Sequence, residues 1–346
     1  MCGIAGELRF DQQPADLAAL ARITHHLAPR GPDDCGFHSQ GCLAFGHRRL
    51  KIMDLGAASA QPMIDPQLGL SLVFNGAIYN YPELRAELQG MGYVFHSDGD
   101  SEVLLKGYHA WGEALLPKLN GMFAFAIWER DSQSLFLARD RLGIKPLYFT
   151  QDAQRLRFAS SLPALLAGGG VDASLDPVAL HHYLSFHSVV PAPRTLLRAV
   201  EKLPPASWLR IDANGRREQQ CWWQLTFGPQ RDEIQLEMGD WQERVLTSLR
   251  EAVTIRQRAA VDVGVLLSGG VDSSLLVGLL REAGVADLST FSIGFEDAGG
   301  ERGDEFHYSD LIARHYGTRH HQLRISEREI LEQLPAAFRA MSEPMV

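Results

Sequence analysis

A thiol one residue from the amino end is the first group in this chain that could do chemistry. Only the thiolate is nucleophilic, so a reactive cysteine needs a base beside it. Cys2 can have one built in. Removal of Met1 would expose the α-amino group of Cys2, and a pKa of about 7.7–8.0 suits such an amine to take the thiol proton directly or through water. Gly3 and Gly6 would let the backbone turn sharply behind the nucleophile. Taken alone, the cysteine reads more simply as a buried thiol in a first strand.

A second constellation is Val263-Gly264-Val265-Leu266-Leu267-Ser268-Gly269-Gly270-Val271-Asp272-Ser273-Ser274, an apolar strand, a glycine turn and a hydroxyl-rich helix start. Such a turn cradles phosphate: glycines admit a close backbone approach, several N–H groups point at the ligand, and the helix N-terminus adds a positive end. No Lys-Ser/Thr follows the glycines, so γ-phosphoryl transfer by Walker A machinery is not expected. The plain alternative is a tight strand-to-helix turn with Ser and Asp as caps.

Other candidates also carry a plain reading. Arg48 and Arg49 could be a solvated pair, and Asn75-Gly76 a hairpin turn. The pairs His25-His26, His181-His182 and His320-His321 put adjacent rings on different faces, which argues against a shared ion and for surface or half-buried positions. Cys35, Cys42 and Cys221 form no C-x-x-C pair and read as small buried side chains.

The scaffold that must position these groups changes grammar midway. Up to residue 160, strands are expected at Cys2–Phe10, Leu43–Arg48, Leu70–Phe74, Met122–Trp128, Ser134–Arg139 and Leu156–Ala159. Helices are expected at Ala15–Leu27, Pro82–Gln89 and Ser101–Trp111, giving an α+β layered domain. A proline-rich stretch then leads to a hairpin at Asn214-Gly215, and polar Gly228–Glu233 reads as linker. Beyond it helices Trp241–Gln257, Ser273–Ala283 and Tyr308–Tyr316 alternate with strands Val261–Leu267 and Ser289–Phe295, the pattern of a parallel sheet. A last helix is expected at Glu327–Met341. The organisation is therefore 1–225, a linker 226–240, and 241–346.

Composition narrows the function classes. With 346 residues, 45% hydrophobic and 22% charged, the chain can bury a sizeable core, and disorder is a poor reading. A net charge of −9 provides no basic field for nucleic acid or anionic lipid. No apolar run approaches the roughly 20 residues that cross a bilayer, and the start lacks the features of a secretory signal, so a cytoplasmic setting is expected.

The motifs Met1-Cys2-Gly3-Ile4-Ala5-Gly6, Arg30-Gly31-Pro32-Asp33, Gly46-His47-Arg48-Arg49-Leu50, Asn75-Gly76-Ala77-Ile78-Tyr79-Asn80 and Arg139-Asp140-Arg141-Leu142-Gly143-Ile144-Lys145-Pro146-Leu147-Tyr148 occur in that order. Together they resemble the glutaminase domain of class II glutamine amidotransferases, specifically the glutamine-hydrolysing asparagine synthetase family. The resemblance implies an N-terminal-nucleophile hydrolase fold, an αββα sandwich, followed by a partial α/β parallel-sheet ATP-pyrophosphatase domain. It implies that Cys2 attacks the glutamine amide to form a thioester and release ammonia. The Asn75 amide and the Gly76 N–H would stabilise the oxyanion, worth roughly 3–4 kcal/mol per donor in comparable sites. Arg49 would hold the glutamine carboxylate, the backbone of Ile52 and Met53 would line the pocket, and Asp100 would take the α-ammonium. Many members have glutamate where this chain has Ala77, so an acidic contact to the substrate amine is missing.

Ser268 to Ser274 resembles the pyrophosphate loop of enzymes that transfer AMP to a carboxylate. That resemblance implies ATP, with Ser268, Gly269, Gly270 and Ser273 on the pyrophosphate, Asp272 placing Mg²⁺, and the backbones of Leu266 and Ile293 framing adenine. Asp304-Glu305 reads equally as a cap or as a further metal-side carboxylate. The implied reaction turns glutamine, ATP and a carboxylate acceptor into glutamate, AMP, pyrophosphate and a carboxamide. Gly6 to Asp11, Ala77, Val189 to Thr195 and Ser342 to Val346 are more similar to N-acetylglutaminylglutamine amidotransferases, which amidate a dipeptide to make an osmoprotectant; aspartate as acceptor is the alternative. A homodimer is compatible with the family. Its synthetase domain continues through a further Ser-Gly-Gly-Glu-Gly segment, so this chain is expected to hydrolyse glutamine without completing synthesis. A glutaminase-only hydrolase and a silent nucleotide-binding protein stay open as other classes.

Overall fold

A computed structural model of the chain describes residues 1–228, 233, 236–297 and 303–344. Most of the polar stretch read as a linker lies outside the described residues. The chain forms two compact units, Met1–Leu225 with Ala340–Val346, and Thr226–Arg339.

The first unit begins β1 (Gly3–Arg9), α1 (Leu17–His26), β2 (Asp34–Gln40), β3 (Leu43–Arg49), β4 (Met63–Asp65) and β5 (Leu70–Ile78). It continues through α2 (Tyr81–Gly90), α3 (Asp100–Trp111), α4 (Leu115–Lys118), β6 (Gly121–Glu129), β7 (Ser134–Arg139), β8 (Tyr148–Gln151) and β9 (Arg155–Ala159). Then come α5 (Leu162–Ala167), α6 (Pro177–Ser185), β10 (Glu201–Lys202), β11 (Ser207–Ile211) and β12 (Arg217–Cys221). Two six-stranded sheets result, ordered β10-β8-β9-β1-β3-β2 and β12-β11-β7-β6-β5-β4.

Strand alternation explains the layering. On β1, Ile4 and Leu8 point between the sheets and share a core with Phe45, Val73, Trp128 and Leu137. Ala5 points the other way, where Leu20 and Ile23 of α1, Leu27 just after it and Leu165 of α5 cover the first sheet. On the outer face of the second sheet, Phe74, Phe125 and Phe136 meet Leu84 and Leu88 of α2 and Leu104 of α3. The product is the αββα sandwich of N-terminal-nucleophile hydrolases. Buried Glu7 is satisfied by Arg157 and by the Asp16 N–H at 2.7 Å.

The second unit runs α7 (Met238–Arg256), β13 (Gly264–Leu266), α8 (Val271–Glu282), β14 (Ser289–Phe295), α9 (Phe306–Tyr316), β15 (Arg319–Ile325) and α10 (Glu327–Ala340). The strands pair in parallel, β13-β14-β15, each joined to the next through a helix. On β14, Thr290 and Ser292 are buried while Phe291, Ile293 and Phe295 are 42%, 55% and 47% exposed.

Several expectations need correction. Gly3 and Gly6 lie inside β1 rather than at a bend, and a Cβ on Gly6 would stand 2.4 Å from the Phe158 ring. Asn75-Gly76 is not a hairpin turn: β5 runs through it to Ile78, paired with β6 throughout. Of the cysteines read as buried, only Cys42 is; Cys35 and Cys221 are exposed, both on edge strands. The strand expected at Val261–Leu267 is shorter, Gly264–Leu266.

Candidate active site

Cys2 sits just before β1, half-buried, with its Sγ held by one residue of a neighbouring loop. The Leu50 N–H donates to Sγ at 3.4 Å, and the thiol faces the Leu50 carbonyl at 3.6 Å. Arg30, which opens the Arg30-Gly31-Pro32-Asp33 motif, donates from Nε to the Cys2 carbonyl at 3.2 Å. Burial pushes the thiol pKa up, against the Leu50 N–H and the nearby terminal ammonium. With Met1 in place the Cys2 nitrogen is a peptide nitrogen, and the amine belongs to Met1, whose pKa burial pulls down. Lys145 Nζ lies 3.0 Å from the Met1 sulfur.

Asn75 and Gly76 stand in β5 opposite Ala124 and Phe123. Asn75 is 1% exposed, yet its Nδ2 has no hydrogen-bond partner among the described residues. An unpaired buried amide costs about 1–3 kcal/mol, so this donor is poised for an acceptor that arrives with a ligand. Only glycine fits at 76, because a Cβ there would come 2.2 Å from the Met122 carbonyl oxygen.

Arg49 ends β3 and is buried, not solvated. Its Nη1 donates to the Gly56 carbonyl at 2.9 Å and its Nη2 to the Asp54 carbonyl at 2.8 Å, leaving further N–H groups of the guanidinium for a ligand. The Asp54 carboxylate accepts from the Ser59 hydroxyl, from Gly56 N–H at 2.6 Å and from Asp98 N–H at 3.2 Å. Burial would raise its pKa, but these donors outweigh it and hold the group below its usual range. Asp100, first residue of α3, accepts the Ile78 N–H at 2.9 Å, and burial lifts its pKa to about 6. Gln61 ties the two sides together, accepting from Phe74 N–H at 2.6 Å and donating to Ser101 Oγ at 3.2 Å.

One cavity is lined by Cys2, Arg49, Ile52, Met53, Asn75, Gly76 and Asp100, so all the glutamine-side residues singled out from the sequence meet there. Met1, Asp54, Ser59, Gln61 and Lys145 also line it and were not singled out for the site. Lys145 gets there through the preceding Arg-Asp motif. Buried Asp140 accepts the N–H groups of Phe123 at 3.1 Å, Ile144 at 2.9 Å and Lys145 at 3.0 Å. Arg139 braces the same turn through the carbonyls of Gly143 at 2.6 Å and Lys145 at 2.7 Å.

The glycine turn of the second unit joins β13 to α8. Gly269 has φ +88°, and a Cβ there would stand 2.5 Å from Tyr308 Cβ. Ser268 Oγ lies 3.1 Å from Ser273 Oγ and accepts the Gly270 N–H at 3.2 Å. Ser274 Oγ, on the first turn of α8, is buried and has no partner among the described residues, a signal no motif role had assigned. Such a turn, with an orphaned hydroxyl at a helix N-terminus, fits a phosphate chain. Asp272, Leu266 and Ile293 are exposed around it. Among the described residues no group of three or more His, Cys, Asp or Glu is placed to hold a metal ion. A lone carboxylate at 272 still suits Mg²⁺, which binds through one or two carboxylates plus substrate phosphates. Asp304 accepts Phe306 N–H at 3.2 Å and pairs with Arg324 at 2.6 Å, which favours its capping role.

The glutamine amidotransferase domain model matches residues 1–223, and the asparagine synthase model matches 244–346. Glutamine-hydrolysing asparagine synthetase 1 of Bacillus subtilis is 35% identical over 100% of this chain and 53% of its own length. A putative asparagine synthetase of Mycobacterium tuberculosis H37Rv is 37% identical over 100% of the chain and 55% of the relative. For putative asparagine synthetase 2 of Methanocaldococcus jannaschii the figures are 32%, 99% and 68%. The chain thus spans about half the length of the first two. Glutamine phosphoribosylpyrophosphate amidotransferase from B. subtilis shares the fold, with TM-score 0.52 and 16% identity over 96% of this chain and 92% of that one.

Proposed function

The chain belongs to the glutamine-hydrolysing asparagine synthetase family, and from that premise we propose that it carries the glutaminase half and the nucleotide loop of an AMP-forming amide synthetase. The unpaired Asn75 amide, buried in the cavity that Cys2 shares, carries this reading. Once Met1 is removed, the new α-amine takes the Cys2 proton and Sγ attacks the side-chain carbonyl carbon of glutamine. The oxyanion so formed meets Asn75 Nδ2 and the Gly76 N–H. Collapse expels ammonia, protonated on leaving by the α-ammonium of Cys2, and water hydrolyses the thioester to glutamate. Arg49 receives the substrate carboxylate and Asp100 its ammonium.

Residues 1–225 are the glutaminase domain in this reading, and 241–346 the front of a synthetase domain. Ser268, Gly269, Gly270 and Ser273 would hold the pyrophosphate of ATP, with the Leu266 and Ile293 backbones framing adenine. Mg²⁺ held at Asp272 would supply charge neutralisation at the phosphates. The acceptor we favour is N-acetylglutaminylglutamine, on Ala77 and the segments quoted above. Aspartate is the second reading, favoured by the names that the relatives carry.

The test is direct. Mass spectrometry of the N-terminal peptide should find Met1 absent and Cys2 alkylated by a glutamine-mimicking electrophile, and the chain should release glutamate from glutamine. Cys2→Ala should lower that release by more than about 10³-fold, as removal of a covalent nucleophile does. Undiminished release would overturn the assignment. For the acceptor, the full-length protein is offered each carboxylate with ATP and glutamine, and the amidated product is identified by mass.

A further inference from the structure

The cavity around Cys2 holds more negative charge than the assigned roles use. Two carboxylates line it, Asp100 and Asp54, and Ala77 puts only a methyl group beside them. They are near neighbours: a Cβ on Gly99, the residue before Asp100, would stand 3.1 Å from Asp54 Cβ and 3.5 Å from its Oδ2. Each feels the charge of the other, since Asp54 helps to raise the pKa of Asp100. A carboxylate offers about four lone-pair sites. Among the described residues Asp54 fills three of them, with Gly56 N–H, the Ser59 hydroxyl and Asp98 N–H, which leaves one acceptor position. The same cavity holds the unpaired, buried amide of Asn75, which points independently to a ligand.

We propose that Asp54, beside Asp100, receives the α-ammonium of the amino-acid substrate and so makes this pocket specific for an amide that carries an α-amine. The inference rests on the glutaminase reading above. The geometry behind it is a division of the substrate head group. Arg49, anchored on the carbonyls of Asp54 and Gly56, would take the carboxylate, and the Asp54 side chain, which lines the cavity from the same loop, would take the ammonium. One short loop then presents both charges that an α-amino acid needs, and Asp100 adds an acceptor from the start of α3. Asp54 stays ionised where Asp100 begins to take a proton, because three donors hold its charge.

The experiment compares glutamine with 4-carbamoylbutanoate, which has the reacting amide and the chain but no α-amine. In Asp54→Asn, KM for glutamine should rise about 10-fold or more, the effect of losing a charged hydrogen bond, with kcat within about threefold. KM for 4-carbamoylbutanoate should stay within about twofold. Equal losses on both substrates would mean that Asp54 only braces its loop, and no change on either would mean no role; both overturn the proposal. Asp100→Asn tests it without altering Asp54: a preference for glutamine of about 10-fold should persist, and its collapse to parity would also overturn it. A wild-type protein that hydrolyses neither compound would instead refute the glutaminase reading itself.

Discussion

The two units treat their polar groups in opposite ways. In the first, Arg49, Asn75 and Asp100 are 5%, 1% and 4% exposed, at the end of β3, inside β5 and at the start of α3, with Arg49 and Asp100 braced by backbone hydrogen bonds. In the second, Asp272 is exposed, Leu266 is 75% exposed and Ile293 55%, and the Ser268 and Ser273 hydroxyls bond each other and the Gly270 backbone. Buried, fixed dipoles act in a low-dielectric site with no reorganisation at the moment of reaction. An exposed glycine loop gains order from the ligand it wraps. Under the proposed function the first unit is thus preorganised for a chemical step, and the second for recognition of an anion.

Asn75→Ala should break the first half of that comparison most severely. Glutamate release should lose about 10²–10³ in kcat with KM nearly unchanged, because in the proposed mechanism the amide acts on the transition state. An equal change in KM would mean that Asn75 binds ground-state substrate instead.

Gly269→Ala probes the second half. A side chain at φ +88° and 2.5 Å from Tyr308 should destabilise the second unit by about 1–3 kcal/mol, seen as a lowered calorimetric transition, with glutamate release retained. Loss of glutaminase activity in parallel would show that the two sites are not independent.

A smaller effect comes with pH. Burial lifts Asp100 to about 6, so below that pH the carboxyl is increasingly neutral and attracts an ammonium less. KM for glutamine should rise severalfold as pH falls from 7 to 5, more than KM for 4-carbamoylbutanoate.

The mildest test concerns dryness itself. His47 is buried, with Nε2 3.2 Å from the Phe74 carbonyl, and burial lowers its pKa from 6.5 to about 4. Between those values the unfolded chain takes up a proton that the folded one refuses, so stability falls as pH drops below about 6.5. His47→Gln should flatten that part of the pH–stability curve.

What the sequence disclosed follows from the forces behind each element. Ser134–Arg139 and Ser289–Phe295 are apolar enough to be bounded correctly from pattern alone. β5 reads only as far as Phe74, because Asn-Gly mimics a turn; nine residues of pairing with β6 override it. β2, mostly exposed Asp34–Gln40, and β15, Arg319–Ile325, show no clear apolar alternation and are strands because a neighbour pairs them. At the site, Cys2 and Arg49 were legible as chemistry-bearing types in motifs, and Asp100 through the family resemblance. Asp54, Ser59 and Gln61 lie in an irregular loop without period, and only tertiary hydrogen bonds bring them to the cavity.

The β5–β6 ladder has one more consequence. Because Asn75 and Gly76 belong to a strand matched residue by residue from Leu70 to Ile78, the oxyanion donors proposed above cannot loosen without opening the sheet. Motions of exposed loops cost little free energy, whereas core strands exchange their amide hydrogens only through sub-global or global opening. In a warming sample, slow amide exchange along this strand and the capacity to cleave glutamine should therefore vanish at the same temperature.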